Sequence, residues 1–119
     1  MTRSVIAPKC NTVLEQSNKP DEAKAQVAAL CAALLTPRDA AEMAKLLADL
    51  CTPAEIHSLA ERWHVARLLD TTDLSYRDIH DATGVSTTTI VRVARFLRQE
   101  PHQGYRRALD AGREAADAG

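Results

Sequence analysis

Apolar residues recur along this chain at spacings of three and four, in runs separated by residues that favour helix starts. From Pro20 the segment D-E-A-K-A-Q-V-A-A-L-C-A-A-L-L reads as a first helix, with Asp21 and Glu22 in the first turn, where acids suit the helix dipole. Thr36-Pro37-Arg38-Asp39 restarts the chain as a capping box with Pro37 at the first helical position, and Ala40, Met43, Leu46 and Leu47 form the stripe of a second helix. The same punctuation at Thr52-Pro53-Ala54-Glu55 opens a longer third helix, through about Leu69, whose Ile56, Leu59, Trp63, Ala66 and Leu69 face a core. Thr71, Thr72 and Asp73 link it to the next helix. Pro101 is expected to begin a sixth helix, and the final A-G-R-E-A-A-D-A-G to fray. Residues 1–19 show no sustained period and contain Pro8, Asn11, Ser17 and Asn18, so they are expected to form a mobile arm. The pattern predicts an all-α chain with one helical domain over residues 20–110, a helix-turn-helix over about 75–98, and a frayed tail over 111–119.

The most informative stretch is S-Y-R-D-I-H-D-A-T-G-V-S-T-T-T-I-V-R-V-A-R-F-L, from Ser75 to Leu97. Ser75 is a good N-cap, Asp78 three places later completes a capping box, and Ile79 and Ala82 supply an inward face before Gly84 stops this fourth helix. Val85 tucks into the angle, Ser86 caps again, and Ile90, Val93, Ala94 and Leu97 form the buried face of a fifth helix. Two short helices around a glycine-containing turn are the arrangement that lays the second of them in the DNA major groove. With the apolar residues turned inward, Ser86, Thr87, Thr88 and Val91 lie near that helix's start, and Arg92, Arg95 and Arg98 further along. Small hydroxyl and methyl groups allow close approach to base edges, and arginine bonds guanine or neutralises phosphate. Tyr76, Arg77 and His80 are placed to meet the DNA backbone.

Composition sharpens this only through its distribution. The 119 residues are 45% hydrophobic, 26% charged and 3% aromatic, with a net charge of −1 that by itself says nothing for DNA. From Ser86 to Arg107, however, Arg92, Arg95, Arg98, Arg106 and Arg107 face a single acid, Glu100, whereas the first 51 residues balance to zero. Cys10, Cys31 and Cys51 are odd in number and widely separated, so neither a disulfide framework nor a zinc knuckle is implied. No apolar run approaches about 18 residues and the start lacks a signal-peptide core, so a cytoplasmic protein without membrane association is expected.

His57, Glu61 and His64 share one face of the third helix, but without an H-E-x-x-H pattern they read as a solvated face, and no metal is expected. Arg67 and Asp70 read as surface charges with a mild i, i+3 attraction. Trp63 reads as a core or dimer-interface residue. Neither a Gly-rich phosphate loop nor a nucleophile elbow is present, so an enzyme is not expected. The rival to DNA binding is a non-enzymatic dimeric adaptor using its helix-turn-helix for protein contact, against which the arginines argue.

The segments D-L-C-T-P-A-E-I-H-S-L-A-E-R-W-H-V-A-R-L-L and G-V-S-T-T-T-I-V-R-V-A-R-F-L resemble the Trp repressor family, more closely its YerC/YecD-like branch, over about Leu35 to Leu109. The resemblance implies a six-helix Trp-repressor-like fold, an intertwined homodimer, and a repressor reading double-stranded DNA at an inverted-repeat operator. It also implies an effector site, for which Thr52, Arg62 and Arg92 match the family's polar anchors. Val93 and Phe96 stand where the family has a glycine and a serine, and their bulk argues against tryptophan as the ligand. The expectation is DNA binding without a cofactor, a small-molecule co-repressor other than tryptophan being the alternative. Arg77 keeps a basic residue of the first reading helix, whereas Tyr76 and His80 replace a glutamine and a lysine, so the operator should differ from the tryptophan operator.

Overall fold

The structure, a computed structural model, describes residues 19–118; the expectations for residues 1–18 lie outside them. The described residues form six helices: α1 (Lys19–Leu34), α2 (Ala40–Leu50), α3 (Pro53–Thr71), α4 (Tyr76–Thr83), α5 (Thr87–Arg98) and α6 (Gly104–Ala118). They fall into two units, divided between Leu50 and Cys51.

In the first unit, α1 already includes Lys19, and neither α1 nor α2 buries a residue. The expected cap of α2 is displaced. Pro37 lies before the helix, and Asp39 does the capping: its carboxylate accepts from the Glu42 backbone N–H at 2.9 Å, while the Glu42 carboxylate accepts from the Arg38 backbone N–H at 2.8 Å. Aspartate at this position outcompetes the threonine–proline start because it reaches the free Glu42 N–H of a helix that begins at the next residue, Ala40.

In the second unit α3, α4 and α5 each begin where a capping side chain dictates. Thr52 accepts from the Glu55 N–H at 3.1 Å and the Glu55 carboxylate accepts from the Thr52 N–H at 2.8 Å, a full capping box with Pro53 at the helix start. The core gathers Val65, Ala66 and Leu69 of α3, Ile79 of α4, Val85 of the turn, Ile90, Val93, Ala94 and Leu97 of α5, and Leu109 of α6. Ile79 and Ile90 are fully enclosed; burying each contributes roughly 1.5–3 kcal/mol. Helix α5 packs against α3, α4 and α6 and is the element around which this unit is built.

Two expectations need correction. Ala82 is exposed, because the inward line of α4 runs from Ile79 to the half-buried Thr83, whose hydroxyl donates to the Ile79 carbonyl at 2.7 Å and accepts from the Val85 N–H at 3.1 Å. Pro101 does not open the last helix: it sits in a turn, Gln103 takes φ 60°, and α6 starts at Gly104. Helix α6 runs to Ala118, as the alanine content of its last turns favours.

Candidate nucleic-acid interface

The reading head is defined by three local devices. The Ser75 hydroxyl accepts from the Asp78 N–H at 3.0 Å and the Asp78 carboxylate accepts from the Ser75 N–H at 3.3 Å, which fixes where α4 begins. Gly84 then adopts φ 78°, ψ 0°, and its N–H donates to the His80 carbonyl at 2.8 Å. That left-handed turn is open to glycine without strain and redirects the chain into α5. Ser86 caps α5, its hydroxyl accepting from the Thr89 N–H at 3.2 Å and bonding the Thr89 hydroxyl at 3.0 Å.

These bonds alter the expected division of labour. The Ser86 hydroxyl is engaged in the cap. His80 braces the turn, because its Nδ1 lies 2.8 Å from the Val85 carbonyl, an acceptor, so the ring donates there. Only Nε2 of His80 is left for an outside partner. The Arg98 guanidinium donates to the Leu69 carbonyl at 3.3 Å and so ties α5 to α3 rather than projecting with the other arginines.

The outward face of α5 carries Thr88, Arg92 and Arg95 in one line at helical spacing, continued by Gln99 at its C-cap, all exposed, with Thr87 and the half-exposed Val91 beside them. No acid lies on this helix. Arg95 pairs with Glu100 at 3.6 Å, just beyond its end. Tyr76 and Arg95 are brought together in a groove of about 240 Å³ between the start of α4 and α5, while Arg77 is exposed on α4.

The residues matched to an effector site do not share one cavity. Thr52 is committed to its capping box. Arg62 lines an open recess of about 410 Å³ with Cys51, Ala54, Glu55, Ser58 and Leu59. Arg92 lines another, of about 370 Å³, walled by Val93, Phe96, Trp63, His102 and Tyr105. Trp63 stacks on Tyr105 with ring centroids 6.4 Å apart but keeps 37% of its surface exposed, and Leu59, one turn earlier, keeps 45%. The anticipated stripe of α3 is thus buried only in its second half within this chain. His57 pairs with Glu61 at 3.2 Å on an exposed face.

Sequence spacing missed Asp70 as an organising residue. It pairs with Arg106 at 2.9 Å and with Arg113, both on α6, not with Arg67. It missed His102 and Tyr105 as well, whose roles arise only when the turn after α5 brings His102 onto Phe96 of α5 and Tyr105 onto Trp63 of α3.

The Trp repressor protein family matches residues 25–112. The chain belongs to the Trp repressor family. That family consists of non-enzymatic, helical DNA-binding regulators. Among its members the uncharacterized protein YerC of Bacillus subtilis is 42% identical over 81 residues, 68% of this chain and 76% of that one. A solved structure, that of a TrpR-like protein from Eubacterium eligens, superposes with a TM-score of 0.66 at 38% identity, covering 72% of this chain and 87% of that one. The six described helices agree with this Trp-repressor-like fold, and none of them is long and apolar enough to cross a membrane.

Proposed function

We propose that the protein is a homodimeric, sequence-specific transcriptional repressor acting in the cytoplasm, reading an inverted-repeat operator with α5 and needing no small-molecule co-repressor. The observation that carries this reading is the outward face of α5: exposed Thr88, Arg92 and Arg95 on a helix without acids, set by the Gly84 turn against a buried Ile79–Ile90 core. Thr87, Thr88 and Arg92 contact bases, with threonine methyls and hydroxyls near the groove floor and arginine directed to guanine. Arg77, Arg95 and Tyr76 hold phosphates, and His80 joins them through Nε2. Ser86 contributes by presenting the first turn of the reading helix rather than through its hydroxyl.

Dimer formation is supported by the apolar surface left on α3, where Leu59 and Trp63 remain exposed one turn apart. A symmetric pair presents two equivalent heads, which is why the site should be an inverted repeat. Independence from tryptophan is supported by Val93 and Phe96, which wall the recess beside Arg92.

The test is selection of bound sites from a random duplex library by the purified full chain, without added ligand and at near-physiological salt. Enrichment of an inverted repeat is expected, with affinity falling as salt rises at a logarithmic slope of about −0.9 per phosphate contact. Enrichment only after amino acids or cell extract are added would overturn the ligand-independent part. No DNA binding at micromolar protein in moderate salt would favour the adaptor reading.

A further inference from the structure

Phe96 stands partly buried on α5, directly after Arg95 and one turn beyond Arg92. Three groups gather on its ring. The guanidinium carbon of Arg92 lies 4.5 Å from the ring centroid and that of Arg95 5.0 Å, while the His102 imidazole stacks at 5.9 Å with 11° between the planes. Two guanidinium groups on one ring bring like charges together, which Coulomb repulsion alone opposes. The negative face of the ring attracts each cation, and Glu100 beside Arg95 offsets part of the repulsion.

The kind of contact matters as much as its strength. A salt bridge occupies the N–H edge of a guanidinium, the edge that DNA needs. Stacking occupies its flat face and leaves the in-plane donors free for a phosphate or a guanine. Arginine carries much rotamer freedom, and ordering two such side chains on binding costs affinity. A ring that restrains them in the free protein removes part of that cost while keeping available the donors of Arg92 and those of Arg95 other than the Nε–H that faces Glu100.

We infer that Phe96 is a positioning residue of the reading head, its ring forming the platform that holds the Arg92 and Arg95 guanidinium groups at the outward face of α5 before DNA arrives. This rests on the DNA-binding reading and deepens it: the platform is covalently part of the chain, so the arginines are set in place without an added ligand. His102 closes the platform from the turn after α5.

The test compares affinities of full-length variants for the selected operator at about 50 mM salt, where weakened variants still bind. Phe96→Leu, which keeps apolar bulk but removes the ring, should lose about tenfold, the scale of two cation–π contacts. In a background where Arg92 and Arg95 are both alanine, the same change should lose less than about twofold. Phe96→Tyr should bind like the unsubstituted protein. In the free protein, ring-current displacement of the Arg92 and Arg95 side-chain proton resonances should be present and should vanish in Phe96→Leu. Equal losses with and without the arginines would reveal a packing role and overturn the inference, as would no loss at all or no ring-current displacement. If no operator is recovered in any condition, the DNA-binding reading falls and takes the inference with it; an operator bound equally well by Phe96→Leu removes the inference alone.

Discussion

Arg106 of α6 reaches the Asp70 carboxylate near the end of α3 at 2.9 Å, and Arg113, further along α6, holds the other oxygen of the same group. The Asp70 side chain is only 9% exposed, so the carboxylate has little water and depends on these two cations. Hydrogen bonding to Asp70, and then to Asp110, raises the Arg106 guanidinium above its already high ordinary pKa. A cation whose pKa rises on folding contributes stability below its unfolded value and loses it only as pH climbs through the folded one. For an arginine that window lies in strong alkali, so changes near neutrality leave this side of the pair intact.

Asp70→Asn should therefore lower the melting temperature and speed amide exchange in α6 more than in α5. Arg106→Ala placed on top of Asp70→Asn should add little, because partners in one network are not additive. Fully additive losses in thermal melts would show that the cluster does not hold α6.

The devices legible in the sequence were those whose partners are three or four residues apart. The Thr52–Glu55 and Ser75–Asp78 boxes, the Ser86 cap and the Gly84 turn stand where spacing put them. Asp70 was paired with Arg67 on the same logic and wrongly so, since its partners arrive from α6 and no local period reports a pair closed by tertiary packing. The start of α2 failed differently: Thr36-Pro37 and Asp39 are both good starters, and the choice between them was settled by the Glu42 bonds. In the candidate site, the outward line of Thr88, Arg92 and Arg95 was legible from helical period alone. The use of His80 within the turn, and the gathering of two arginines on Phe96, depend on rotamers and were not.

Gly84 is a position where conformation rather than space decides. A Cβ there would meet nothing within 4 Å, yet φ is +78°. Gly84→Ala should cost about 1–2 kcal/mol from the left-handed backbone alone, and Gly84→Asn clearly less, since asparagine tolerates this region better. Urea midpoints of the two variants check the order; equal midpoints would mean that the turn relaxes to another conformation.

Ile90 and Val91 are neighbours on α5 with opposite fates, Ile90 fully buried and Val91 52% exposed. Ile90→Ala should lose about 2–5 kcal/mol through lost burial and the cavity left behind. Val91→Ala should be neutral or gain a few tenths, because alanine is the better helix former at an exposed site. Chemical denaturation that found Val91→Ala as costly as Ile90→Ala would place Val91 against a partner that covers it.

The exposed Leu59 and Trp63 of α3 carry the dimer proposal. Leu59→Asp puts a charge on that face without touching the buried Val65, Ala66 and Leu69 farther along the helix. Sedimentation should move from dimer to monomer at micromolar concentration while helix content is largely kept. An unchanged sedimentation coefficient would take this face out of the interface.

Arg77 and Thr88 separate positioning on DNA from reading of its sequence. Both are exposed, Arg77 on α4 and Thr88 in the first turn of α5. A phosphate contact carries no sequence information, so Arg77→Ala should weaken the operator and unrelated duplexes by a similar factor and reduce the salt slope by about one contact. A base contact discriminates, so Thr88→Ala should change the ranking of operators altered at one symmetric pair of positions, with a shift on the order of 1 kcal/mol, and should leave the salt slope as it was. The measurement is a salt titration of binding to the selected operator, its single-position variants and a scrambled duplex. If both substitutions weakened every duplex alike, α5 would be held on DNA without reading it through Thr88, and base recognition would have to come from Thr87 and Arg92 alone.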